Sequence, residues 1–330
     1  MTSPRRNLID TASTRYYHCV ARCVRRAWLC GQDHLSGNNY EHRRQWVIDR
    51  LQLLVNIFAI EVCAYAIMSN HYHAVLHINT TAAKQWCDPE VLKRWTQLFN
   101  GPMLVQRYLA GEKLDDAEQC RVDEYAQLYR ERLQDISWFM RCLNEHLARE
   151  ANQEDGCKGR FWEGRFKSQA LLDEAAILTC MAYVDLNPIR AKMADTPETS
   201  DYTSIQQRIT LLDNNLTDKK TGLLLKPLQC PGQNPGESIP FSRQYYFELV
   251  DWSGRILKAG KRGAIPADTP PILTRLGIDE EEWLKTIGWN NRFRRAVGKL
   301  AAMKAFAEKQ GQQWFQGILA CRRLYSSAPL

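Results

Sequence analysis

Two histidines separated by a single residue, His71 and His73, follow an apolar run over residues 62–68 across a short polar break at Ser69 and Asn70. On a strand, alternate side chains share one face roughly 7 Å apart, so the pair can put two imidazoles on one metal ion while Tyr72 packs behind them. The same spacing also suits two polar side chains on a half-wet strand. His77 shares that face but lies about 13 Å beyond His73, too far for a common ion, and the slot between them is Val75. A site built on the pair therefore needs a third ligand from elsewhere. Tyr183 and Asn187 are four residues apart, one helical turn, and can face the same point. On their own they read as a packed tyrosine and as an N-cap with Pro188 at the first helical position.

Residues 159–168 interleave Arg160, Phe161, Trp162, Arg165, Phe166 and Lys167 with two glycines. The basic side chains could follow a phosphate backbone and the rings could meet bases. Equally, the rings read as core residues beside surface arginines.

The elements that must position these groups are legible as periodicities. Residues 14–24 are rich in strand formers and predict a first strand running into Arg25 and Arg26. Residues 39–59 predict a helix, with Trp46, Val47, Leu51, Leu54, Val55 and Phe58 at helical spacing. Residues 60–78 predict the hairpin that carries the histidines. This order gives an antiparallel α+β beginning and not alternating βαβ units. Residues 79–134 form a polar, mainly helical insertion, and residues 136–151 an amphipathic helix with Ile136, Phe139, Met140, Leu143 and Leu147 on one side. Asp173 can cap a helix carrying Leu178, Met181 and Ala182. The chain thus divides into a main domain at 1–205, a linker at 206–240 and a basic, mainly helical region at 241–330. In that last region Asp279 opens one helix and residues 291–309 read as another, amphipathic and basic.

The formal net charge is +7 in 330 residues, and the basic side chains cluster, at Arg5 and Arg6, Arg22 with Arg25 and Arg26, and residues 160–167 and 292–299. Such clusters suit a polyanion or a solvated face. The cysteine count is 11, an odd number without a Cys-x-x-Cys, which reads as reduced core residues. No run approaches the ~18 apolar residues of a membrane helix, and no signal-type apolar region follows the start, so a cytoplasmic protein is expected.

Taken in order, His18 with Arg22, the Ala64-to-His73 run, residues 159–168 and the Tyr183-Val-Asp-Leu-Asn187-Pro-Ile-Arg190-Ala run resemble the single-tyrosine HUH transposases, in particular the REP-associated branch, over about residues 10–205. The resemblance implies a ferredoxin-like HUH endonuclease fold, α+β with an antiparallel sheet and packed helices. It implies His71, His73 and Asn187 as metal ligands and Tyr183 as the nucleophile. The reaction implied is cleavage and rejoining of single-stranded DNA near palindromic hairpins through a 5′-phosphotyrosine. Two imidazoles, an amide oxygen and open positions suit Mg²⁺ or Mn²⁺ better than Zn²⁺. Arg5, Arg6, Arg22, Arg25, Arg26, Arg160, Arg165, Lys167 and Arg190 are the DNA contacts expected, with a nucleoid-associated location and a homodimer left open. Two other readings stay open: a domesticated hairpin-binding protein that does not cut, and an unrelated metal-dependent hydrolase using the histidine pair alone.

Overall fold

The computed structural model describes residues 9–24, 29–33, 37–213, 224–230, 237–259, 271–288, 295–313 and 315–325. The first half of the chain supplies β1 (Tyr16–Arg22), α1 (Arg43–Ile57), β2 (Ile60–Ile67) and β3 (His71–Ile78), then the insertion helices α2 (Thr80–Gln85), α3 (Asp88–Thr96), α4 (Met103–Leu109) and α5 (Asp116–Arg132), and α6 (Ile136–Glu154). There follow β4 (Lys167–Leu171), α7 (Glu174–Asp185), α8 (Asn187–Arg190) and α9 (Ser204–Asp213). The remainder supplies β5 (Leu228–Gln229), β6 (Ile239–Ser242), α10 (Arg243–Ala259), α11 (Pro271–Leu276), α12 (Glu280–Gly288), β7 (Ala296–Val297), α13 (Leu300–Lys309) and α14 (Ile318–Leu324).

The main sheet runs β2-β3-β1-β4-β7. Its first four strands are antiparallel to their neighbours. With α1 joining β1 to β2 and α6 leading into β4, this is the split βαβ arrangement of a ferredoxin-like fold, and the α+β class expected from the sequence is the class observed. The fifth strand, β7, is parallel to β4.

Alternation along the strands makes two unlike faces. Tyr17, Cys19 and Ala21 on β1 pair with Leu76, Ala74 and Tyr72 on β3, and all are buried. On this side the Tyr72 hydroxyl donates to Asn144 Oδ1 of α6 at 2.6 Å. There α6 buries Ile136, Phe139, Met140, Leu143 and Leu147, and Phe139 meets Phe58 edge to face with ring centres 5.4 Å apart. The other face carries His18 and Arg22 of β1 and His71 and His73 of β3, with Arg22 opposite His71 and Val20 opposite His73. Helix α7 packs there, against β2, β3 and β4.

Helix α7 is apolar on every side: from Ala175 to Asp185 each residue is buried except Tyr183. A helix of that kind needs cover on both flanks. The sheet gives one, and the chain beyond residue 240 gives the other. Tyr246 of α10 and Tyr325 reach α7 by hydrogen bonds to Asp185 and Thr179, and the fully buried Trp283 sits on α12, which packs on α7. Residues 206–213, expected in a linker, belong to α9, and residues 224–230 run beside β2, where Lys226 N donates to Val62 O at 2.8 Å.

The helix expected over residues 291–309 is confined to α13; residues 291–294 lie outside the described residues, and Ala296 and Val297 pair with Ala170 and Leu171 of β4. Gly298 makes the approach feasible, since a Cβ there would stand 2.9 Å from Leu172 Cβ. None of the 11 cysteines is in a disulfide. Among the described residues no helix is long and apolar enough to cross a membrane.

Candidate metal and tyrosine site

His73 is the centre of the polar face. Its Nδ1 lies 2.9 Å from His18 Nε2, and its Nε2 lies 3.0 Å from Asn187 Nδ2. His71 stands beside it, ring centres 4.9 Å apart, with its own Nδ1 2.7 Å from Asn70 Oδ1. Tyr183 presents its ring to both His73 and His18, edge to face, at 5.8 and 6.3 Å between centres. Tyr183 lies in the last turn of α7 and Asn187 begins α8, with Leu186 between the two helices. Asn187 does not cap: the N-cap of α8 is Leu186, and the Asn187 amide, 2% exposed, goes to His73 instead. The expectation that Asn187 caps the helix is not met: its amide meets the buried imidazole of His73 and not the helix backbone.

The end of α7 is pinned by Asp185. Its carboxylate accepts from Ser204 Oγ, from the Ile205 backbone N–H at 3.0 Å and from the Tyr246 hydroxyl. Burial pushes this carboxyl up to about 6, against those donors and Arg208.

The charged groups that act on His71 and His73 are cationic. Burial, with Arg22 and Arg190 nearby, holds His71 down to about 4. Burial holds His18 down to about 4 as well. Burial, then His18, His71 and Arg190, holds His73 well below its ordinary value. All three rings are therefore neutral at neutral pH, which is the state a metal ligand needs. The Arg190 guanidinium lies 4.3 Å over the Tyr183 ring, and its Nη1 is buried with no hydrogen-bond partner.

The residues present fit a divalent ion. Adjacent ligands of an octahedral Mg²⁺ at about 2.1 Å stand ~3.0 Å apart, the spacing His73 Nε2 already has from the Asn187 amide. Turning that amide would present Oδ1. Among the described residues no group of three or more His, Cys, Asp or Glu is placed to hold a metal ion.

No family model and no curated protein matches the chain. One solved structure does resemble it. That structure is of a REP-associated tyrosine transposase bound to a REP hairpin; the similarity has a TM-score of 0.38 at 11% identity and covers 71% of this chain and 98% of that one.

The expected DNA contacts divide three ways. Arg22, Lys167 and Arg190 lie on or beside the histidine face. Arg160 and Arg165 are exposed on the loop before β4, which is tied to the end of β1 by Val24 N to Phe161 O and Glu163 N to Arg22 O. The rings of that loop are not offered to bases: Phe161 and Phe166 are buried, and Trp162 donates Nε1–H to Asn144 O at 2.7 Å. Arg5, Arg6, Arg25 and Arg26 lie outside the described residues. Sequence reasoning gave His18 no role of its own. A histidine on the same strand face as Arg22 was the available signal, but its partner depends on the β1–β3 register, which no spacing reveals.

Proposed function

We propose that the chain is a metal-dependent transposase or nuclease of the tyrosine HUH type, acting on single-stranded DNA beside palindromic hairpins. The observation that carries this reading is the convergence of Tyr183 and Asn187, from the α7–α8 junction, on His73 of β3, with His71 beside it. The motif order in the sequence supports the hairpin substrate.

In this reading Tyr183 Oη gives up its proton and attacks the scissile phosphorus, and the phosphorus–O3′ bond breaks as the new bond forms. The phosphodiester is conserved as a 5′-phosphotyrosine, and the 3′ end leaves as a hydroxyl after taking up a proton. Mg²⁺ or Mn²⁺ held by His71, His73 and Asn187 would supply positive charge to the phosphate oxygen. Arg22 and Arg190 attract and seat the phosphate, and Arg160, Arg165 and Lys167 track the flanking backbone.

Incubation with Mn²⁺ and end-labelled single strands bearing the palindromes that flank the gene, followed by a denaturing gel, tests this. A covalent band is expected, lost in Tyr183→Phe while native-gel binding persists. Cutting without an adduct would point to a hydrolase, and retention without cutting to a binding protein. His71→Ala is expected to abolish cleavage and weaken Mn²⁺ binding.

A further inference from the structure

Behind the proposed ligand His73 stands a hydrogen-bonded row that the proposed chemistry does not use. His18 Nε2 is 2.9 Å from His73 Nδ1. His18 is also the cross-strand partner of Gln169, close enough for a side-chain hydrogen bond. With Nε2 engaged by His73, Nδ1 is the ring nitrogen left for Gln169. The row is therefore Gln169, His18, His73, Asn187, spanning β4, β1, β3 and α8.

Such a row has two self-consistent proton arrangements. In one, Gln169 Oε1 accepts from His18 Nδ1–H, His18 Nε2 accepts from His73 Nδ1–H, and His73 Nε2 keeps its lone pair toward Asn187. In the other, every donor and acceptor is reversed and His73 Nε2 carries the proton, which closes it to a metal. The Asn187 amide presents Nδ2, a donor, to His73 Nε2. That contact matches the first arrangement.

We propose that His18, oriented by Gln169, is a positioning residue that holds His73 in the Nδ1–H tautomer and so keeps its Nε2 open as a ligand. This rests on the reading of His73 as a ligand. His18 and His73 are 9% and 6% exposed, so water does not readily substitute for either partner. Without His18, His73 Nδ1 has no acceptor, and the ring gains by reversing and donating Nε2–H to the Asn187 carbonyl. Partners of this kind typically change metal affinity by about 10- to 100-fold when removed.

The test has two readouts. In the metal-free protein, ¹⁵N–¹H correlation of the imidazoles, with His73 assigned by loss of its signal in His73→Gln, reports which nitrogen is protonated. Nδ1–H is expected in the wild type, with a shift toward Nε2–H in His18→Leu. His18→Gln returns an acceptor near the original Nε2 position and is expected to restore Nδ1–H. Gln169→Leu, at a less buried position, is expected to move the tautomer part of the way and guards against a fold defect in His18→Leu. Mn²⁺ titration is expected to show affinity lowered about 10- to 100-fold in His18→Leu and within a few-fold of wild type in His18→Gln. Nε2–H in the wild type, or an unchanged tautomer and Mn²⁺ affinity in both His18→Leu and Gln169→Leu, would overturn the proposal. Failure of the covalent adduct would instead remove the proposed function and leave the tautomer result standing, because that readout needs neither metal nor DNA.

Discussion

Arg190 is the side chain at the site whose environment is least complete. Its guanidinium covers the Tyr183 ring at 4.3 Å, yet buried Nη1 has no partner. A buried donor left unmet is costly, and a phosphate oxygen beside Tyr183 would meet it. Lysine keeps the charge but loses the planar fork and the stacking. In Arg190→Lys, single-turnover cleavage is therefore expected to fall by about 10²- to 10³-fold, as for loss of one aimed donor, while DNA retention on a native gel changes little. Equal losses in binding and cleavage would make Arg190 an ordinary backbone contact. At this scale the sequence was legible where a fixed spacing did the positioning. His71 and His73 share a face because strands alternate, and Tyr183 and Asn187, four residues apart, both reach His73. His18 was not legible in the same way, since its contact crosses 55 residues of chain. Nor was the inward turn of Phe161 and Phe166, because an aromatic beside an arginine reads the same whether it faces DNA or the core.

Among the elements, β2 and β7 show how the edges of the site-bearing sheet are secured. Glu61 on β2 accepts from His77 Nδ1 at 2.7 Å and from Lys226 Nζ at 2.9 Å. Lys226 is almost wholly buried, and Glu61 is 31% exposed. Burial alone would raise the Glu61 carboxyl, but its hydrogen bonds to His77 and Lys226 outweigh burial and hold it below the usual range. A depressed carboxyl contributes stability that is present above its unfolded pKa, about 4.3, and is lost as pH falls through the lower folded value. Glu61→Gln leaves the Lys226 ammonium buried without its carboxylate and is expected to cost about 3 kcal/mol, the low end for a broken buried pair given the partial exposure of Glu61. Urea midpoints measured at pH 7 and again across the acid limb check both parts: a large loss at pH 7 and a shallower decline below about pH 4.5.

At the opposite edge, Gly298 brings β7 against the start of α7, where Lys299 N donates to Asp173 Oδ2 at 2.6 Å while Asp173 Oδ1 caps the helix at Ala176 N. Gly298→Ala puts a methyl 2.9 Å from Leu172 Cβ and 3.0 Å from Asp173 Oδ2. A loss of about 1 to 3 kcal/mol is expected by urea unfolding, as for overpacking elsewhere; an unchanged midpoint would mean that β7 moves away freely. The strand was hidden in the sequence because Val297, Leu300, Met303 and Phe306 keep a helical spacing, and only pairing with β4 takes the first of them out of the helix.

For the whole molecule, the two additions to the ferredoxin-like core stand in different relations to it. The region beyond residue 240 covers α7 through Tyr246, Trp283 and Tyr325. A chain ending at residue 213 would bare the outer flank of this buried helix, and it is expected to bind a hydrophobic dye and to unfold without a cooperative transition. The insertion differs because both of its ends meet at one residue: Ala59 O accepts from Asn79 N, and Ala59 N donates to Leu133 O, each at 2.9 Å. Between those ends the insertion has buried residues of its own, including Val91, Val105, Val122 and Ala126, with Trp95 stacked on Tyr129 at 4.7 Å between ring centres. A short flexible link between residues 79 and 133 therefore closes a gap that is already closed, at little loop entropy. The excised protein is expected to unfold cooperatively, to keep Mn²⁺ affinity and to form the Tyr183 adduct on a minimal single strand, because the row from Gln169 to Asn187 is built from β4, β1, β3 and α8. Native-gel affinity for long hairpins then reads what the insertion adds. A cooperative but metal-blind variant would show instead that α2 to α5 hold β3, and with it His71 and His73, in register.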